Sequence, residues 1–206
     1  MKILAASDIH GDRKTVADLV QKAKDEEVDL VILCGDLTFA ESDLTGMVGP
    51  FKELDKKIIL IPGNHETVPA IEFLAKQYKP GVYNLHGRAM KFYNEIGIFG
   101  VGGANIGPFE IGDDELMELM EKAHKNVEDM KHKVMIVHAP PLGTKIDALW
   151  SHVGSAGVRK AVEKIQPDLC LCGHIHETFG VQDKIGKTRV INVGRKGVVI
   201  EIKKGS

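Results

Sequence analysis

Eight residues that could do chemistry fall just after apolar runs: Asp8 and His10, Asp36, Asn64 with His65, His138, and His174 with His176. Five of the nine histidines are in this set. One histidine at a strand end is usually satisfied within its own loop, but ligand-type residues in so many separate turns point to metal. Carboxylate oxygen, amide oxygen and imidazole nitrogen together suit divalent ions such as Mn²⁺, Fe²⁺ or Zn²⁺. Thiolate is not among them, because Cys34 and Cys172 lie on the strand side of Gly35 and Gly173. Seven ligands are too many for one tetrahedral ion that keeps an open position, which takes about three. Two ions about 3.5–4 Å apart that share a carboxylate fit the count.

The elements that must position these residues read as apolar strand, polar turn and amphipathic helix, repeated. Ile3 to Ala6, Leu30 to Cys34 and Ile58 to Ile61 are near-continuous apolar runs, as expected of strands covered on both faces. Val16, Leu19, Val20 and Ala23 share one helical face with Asp12 placed as the N-cap, so Asp12 has a structural reason to be there. A weaker helix with Phe51 and Leu54 is interrupted by Gly46, Gly49 and Pro50, and another runs from Val68 to Tyr78. Such alternation predicts parallel strands with right-handed crossovers and a ligand site at their carboxyl ends.

Further along, Tyr83 to Leu85, Ala89 to Tyr93 and Ile96 to Val101 are short segments that predict hairpins rather than crossovers. From Asp113 a long helix is signalled by Leu116, Leu119, Met120, Ala123, Val127 and Met130, with the methionines at core spacing. Val134 to Val137 leads into His138 and a long loop containing Trp150, His152 and Ser155, of a length that draws attention to function. Ser155 is placed to cap the helix carrying Val158, Ala161, Val162 and Ile165. Leu169 to Cys172 is the next strand. Because side chains alternate along extended chain, His174 and His176 lean the same way and, on their own, read as two ligands of one ion. The tail segments 179–181, 188–193 and 198–202 predict an antiparallel meander with a turn near Gly186.

At 206 residues, 43% hydrophobic and 27% charged, the chain can bury roughly 70% of its unfolded surface, and one domain over residues 1–206 is the expectation. The net charge of -2, with cations only in short pairs, argues against a dedicated nucleic-acid surface. Cys34, Cys170 and Cys172 suit neither a disulfide framework nor a zinc knuckle and read as buried hydrophobes in a reducing, cytoplasmic setting. No stretch approaches a membrane span, and Gly205-Ser206 carries no weight.

Taken in order, Asp8-x-His10, Gly35-Asp36, Gly63-Asn64-His65-Glu66, His138 and Gly173-His174-x-His176 resemble the full signature of the calcineurin-like metallophosphoesterases. The resemblance implies an α/β fold, a four-layer αββα sandwich of two mixed sheets flanked by helices, with the metal site at strand carboxyl ends. It implies that Asp8, His10 and His176 hold one metal and Asn64, His138 and His174 the second, with Asp36 bridging; His174 and His176 are then split between the ions. His65 is similar to the family's non-ligand histidine that stabilises or protonates the leaving group, so Asp36 and His65 are the candidate catalytic residues. Glu66 stands where many members have Asp, a departure expected to affect the ion pairing behind His65.

Water bridging two dications is acidified towards neutrality, giving a hydroxide in line with phosphorus and removing the need for a protein nucleophile. Ser151-His152-Val153-Gly154-Ser155, Gln166-Pro167-Asp168 and Gly173 to Glu177 are also similar to a small prokaryotic phosphoesterase subgroup related to cyclic-nucleotide phosphodiesterases. On that resemblance His152, Ser155, Arg159 and Arg195 face the substrate phosphate; the alternative is that Ser155 only caps its helix and the arginines are solvated. The expectation is a dinuclear metal-dependent phosphohydrolase with two divalent ions, manganese favoured. Its partner is a small phosphate ester, a cyclic-nucleotide or aryl diester ahead of a monoester, with no membrane contact and the oligomeric state open. A non-catalytic protein-binding scaffold is the alternative from another class; such relatives typically lose ligands, and this chain keeps them all.

Overall fold

A computed structural model describes residues 1–203, and Gly205-Ser206 lies outside the described residues. The first three apolar runs form β1 (Lys2–Ala6), β2 (Leu30–Cys34) and β3 (Lys57–Ile61). They are joined by α1 (Arg13–Asp25) and by a short α2 (Leu44–Val48) that passes into a 3-10 turn over Gly49–Leu54, where Pro50 occupies the first positions. The chain continues through α3 (Val68–Gln77), β4 (Val82–Asn84), β5 (Arg88–Phe92), β6 (Ile96–Val101), α4 (Asp113–Lys125) and β7 (His132–Val137). It ends with α5 (Ala156–Ile165), β8 (Leu169–Cys172), β9 (Gln182–Ile185), β10 (Thr188–Asn192) and β11 (Val198–Glu201).

Two mixed sheets result, in the orders β11-β1-β2-β3-β4 and β5-β6-β7-β8-β10-β9. In the first, β1 to β4 are parallel and β11 runs antiparallel to β1. In the second, β6, β7, β8 and β10 are parallel, with antiparallel β5 and β9 at the edges. The split explains why the central strands are apolar at every position. Ile3, Ala5, Ile32 and Ile59 point between the sheets, against Ile98, Val134, Ile136 and Leu171. Their sequence neighbours Leu4, Val31, Leu33 and Leu60 pack beneath Leu19 of α1 and Leu74 of α3. On the far side Phe99, Met135, Val137 and Cys170 pack beneath Met120 of α4 and Val162 of α5. Alternating faces thus serve two apolar layers per sheet, and four layers follow.

Three expectations change. Tyr83 to Leu85 does not open a hairpin: β4 pairs parallel to β3 after the α3 crossover, and of these three segments only β5 and β6 form one, around Tyr93 and Asn94 at φ 53° and 57°. The tail is not a continuous meander, because β11 leaves β9 and β10 and crosses to the edge of the first sheet. Helix α4 stops at Lys125, while Val127 and Met130 stay buried in the following turn. The three cysteines are free and buried, and burial pushes the Cys170 thiol up to about 12. Among the described residues no helix is long and apolar enough to cross a membrane.

Ile136, fully buried between the sheets, is the test of this packing. Ile136→Ala is expected to cost about 2–5 kcal/mol in urea unfolding. Trp150→Ala, at a residue 88% exposed, should stay within about 0.5 kcal/mol; equal effects at the two positions would contradict the layer assignment.

Candidate metal centre

Both sheets end at one seam. Asp8 and His10 follow β1, Asp36 follows β2, and Asn64 and His65 follow β3; His138 follows β7, and His174 and His176 follow β8. Backbone bonds continue past the strands to hold these turns together, from Asp8 N–H to the Gly35 carbonyl, His10 N–H to that of Asp36 and Gly173 N–H to that of His138. Asp8, His10, Asp36 and His174 all have positive φ, between 50° and 73°, a conformation that costs side-chain-bearing residues energy and concentrates at functional sites. The turns after β2 and β3 touch so closely that a Cβ on Gly35 would lie 2.6 Å from Gly63 Cα and 2.8 Å from His138 Nδ1. A Cβ on Gly63 would overlap the Asp36 carboxylate.

Two groups of donors converge there. One carboxylate oxygen of Asp8 and one nitrogen each of His10 and His176 lie within 4.8 Å of one another, and Asp36, His138 and His174 form a second such group. Asn64 joins the second through Oδ1, 3.0 Å from His138 Nε2. Asp36 reaches both: its Oδ2 is 3.7 Å from His10 Nε2 and 3.3 Å from His138 Nε2, while its Oδ1 accepts from the His65 N–H. Asp8 is held by the His174 N–H and lies 3.5 Å from His176 Nε2. His65, with His10 and Asp36, makes a third, overlapping group. The shared direction that strand alternation would give His174 and His176 does not apply, because β8 ends at Cys172. The left-handed turn at His174 and the 3-10 turn starting at His176 send them to different groups.

The electrostatics suit cations. Burial works against charge on Asp8 and Asp36, yet neighbouring imidazoles hold both carboxyls below the usual range, His176 foremost at Asp8 and His138 at Asp36. Burial likewise opposes charge on His138, and Asp36 overrides it, raising His138 to about 10. Burial pushes His174 down to about 4 and lowers His10, leaving neutral nitrogens of the kind a metal takes. Ionised carboxylates among convergent imidazole nitrogens fit two divalent ions, one per group.

Two further carboxylates, Glu66 and Asp147, hold the loops around the site. Glu66 does not pair with the His65 ring, as its position next to it suggests. Its carboxylate is buried and accepts from the backbone N–H groups of Asp36, Thr38 and Gly63 and from Thr38 Oγ1, tying the β2 turn to the β3 turn. Burial and nearby Asp36 raise Glu66 to about 7, against the pull of the Thr38 and Gly63 donors. In the loop after β7, buried Asp147 accepts from the N–H groups of Gly143, Thr144 and Gly154.

The four residues expected to face substrate phosphate are engaged elsewhere, and none lines the cleft over the two groups. His152 Nδ1 is 3.0 Å from Asp147 Oδ1; Ser155 caps Val158 and donates to Asp113; Arg159 bonds Glu163 and two loop carbonyls. Arg195 bonds Asp12 and Thr15 beside α1. A helix cap and local carboxylates were the stronger partners.

The sequence description of the calcineurin-like phosphoesterases matches residues 1–178. This chain belongs to that family. An uncharacterised protein of Methanocaldococcus jannaschii is 31% identical over 209 residues, spanning 97% of this phosphoesterase and 91% of its own length. Among solved structures the fold is shared with the protein TT1561 of Thermus thermophilus (TM-score 0.76, 20% identity, 95% of this chain and 90% of that one). It is shared as well with an archaeal phosphodiesterase (0.55, 18%, 94% and 84%) and a dimetal phosphatase of Danio rerio (0.66, 11%, 94% and 87%).

Glu66→Ala strands three buried backbone donors at about 1–3 kcal/mol each, so a loss of about 3 kcal/mol or more is expected in urea unfolding; a loss below about 1 kcal/mol would deny Glu66 its tying role. Since ligating imidazoles must be neutral, and Asp36 and Asp8 favour a proton on His138 and His176, protons compete with the metal and metal content after dialysis should fall as pH is lowered. Equal metal content at pH 5 and pH 7.5 would contradict a histidine-rich donor set.

Proposed function

We propose that this protein is a dinuclear metal-dependent phosphohydrolase, one domain over residues 1–206, acting on small phosphodiesters. Asp8, His10 and His176 would hold one ion and Asn64, His138 and His174 the other, with Asp36 placed between the two groups. The observation that carries this reading is the position of Asp36 Oδ2, within 3.7 Å of a nitrogen from each group. Manganese is the favoured ion for such mixed oxygen and nitrogen donors. When bound, the two dications supply Lewis acidity that polarises a phosphoryl oxygen and brings the pKa of water towards neutrality.

The chain's own residues supply position and a proton. The backbone N–H groups of His65 and His174 fix both carboxylates, so the donors need no rearrangement when substrate arrives. His65 is half-buried at the cleft wall, its ring 5.1 Å from that of His10, and serves as the proton donor to the departing oxygen. Ser155 is engaged as a cap and the Cys172 thiol is buried and raised, so neither is a nucleophile. The diester preference rests on charge: the cleft is lined by His10, Asp36, Phe39, Asn64, His65, His174 and His176, with no Lys or Arg among the described residues to meet the extra charge of a monoester. Three free cysteines suit a reducing compartment, hence the cytoplasm.

Chelated protein is expected to lose turnover of bis-nitrophenyl phosphate and regain it with Mn²⁺, at a higher kcat/KM than for nitrophenyl phosphate. No metal-dependent turnover of either ester or of cyclic nucleotides would overturn the reading; monoester preference would overturn the diester assignment alone. His65→Ala should keep its metal and lose about 10²–10⁴ in kcat; a normal rate would remove His65 from the mechanism.

A further inference from the structure

Phe39 is the one apolar side chain in the cleft wall among the described residues, and it is 62% exposed. Its ring stacks on the His65 imidazole, centroids 4.9 Å apart and planes at 28°, and lies 6.3 Å from the His10 ring. One face is covered by His65 and the rest borders a cleft of about 400 Å³. No packing requirement of the core explains a phenyl ring in that place.

The loop carrying Phe39 is fastened on both sides to the turn carrying His65. Before it, Thr38 donates through N–H and Oγ1 to buried Glu66. After it, the Glu41 carboxylate accepts from Thr67 N–H at 2.7 Å and Thr67 Oγ1 at 2.6 Å, while Glu41 N–H returns to Thr38 Oγ1. Ser42 closes the turn on the Phe39 carbonyl. Ring and imidazole are therefore held as a pair, with little conformational freedom to lose when a ligand arrives.

We propose that Phe39 selects substrates, receiving against its ring a flat apolar group, aryl or heteroaryl, attached to the phosphorus centre. The proposal rests on the phosphohydrolase reading for its geometry: a departing oxygen beside His65 places its attached group next to the ring stacked on His65. Offset stacking on a preplaced aromatic surface is favourable and tolerant of ring chemistry.

The test is calorimetric binding of phenylphosphonate and methylphosphonate to Mn²⁺-loaded protein, with metal content measured alongside. Wild-type protein should bind the phenyl compound about tenfold more tightly. Phe39→Ala should bring that ratio close to one, Phe39→Leu to an intermediate value, and Phe39→Trp should keep it. An unchanged ratio in Phe39→Ala, or an equal loss for both ligands in all three variants, would overturn the selective role. A phenyl preference that depends on Phe39, in a protein that hydrolyses no ester, would sink the hydrolase reading and with it substrate selection, leaving Phe39 an aryl-binding surface only. Metal-dependent turnover with a ratio indifferent to Phe39 would keep the hydrolase reading and overturn the selective role.

Discussion

Asp36 sits 2% exposed at the seam between two sheets, and a carboxylate removed from water in that way costs several kcal/mol unless positive charge meets it. Much that is unusual in the chain answers that requirement. Imidazoles reach it from the β1 turn in one sheet and from the β7 turn in the other. Gly63 and Gly35 leave out side chains so that the turns can close around it. Glu66, itself a buried carboxylate, orders the backbone on either side of it. Neither sheet alone supplies both halves of the site, so the apolar layer between them is part of the site's construction.

The parts of this arrangement that were legible in the sequence are the local ones. A buried strand that must end in a polar turn announces both the strand and the turn, which is why β1, β2, β3, β7 and β8 and the eight residues that meet at the seam could be read from the chain. Strand partners were less accessible. Residues 83–85 and 198–202 have ordinary strand composition, and their places beside β3 and β1 depend on contacts far away in sequence. The geometry of His174 and His176 turns on one left-handed residue that no side-chain pattern reveals.

Side chains that hold loops were the least legible. Asp147 and Glu66 accept backbone N–H groups where no strand or helix can do so; nothing in its spacing separates Asp147 from a solvated acid, and the motif that marks Glu66 does not say which groups it bonds. Ser155, His152, Arg159 and Arg195 have the chemistry of phosphate contacts, and local caps and carboxylates claimed them first. Phe39 has the opposite character: a residue type that belongs in a core stands at the mouth of a polar cleft. Family membership leaves the chemistry of the substrate open, and wall residues of this kind are the natural place to look for what sets it.

The central claim is that Asp36 joins two ions into one centre. Electron paramagnetic resonance of Mn²⁺-loaded protein measures this directly, because two Mn²⁺ ions about 3.5–4 Å apart couple magnetically and isolated ions do not. A bridging Asp36 requires two Mn²⁺ per chain with a coupled-pair spectrum in the wild type, and loss of the coupled signal in Asp36→Asn. One ion per chain, uncoupled signals in the wild type, or a coupled pair that survives the substitution would contradict it.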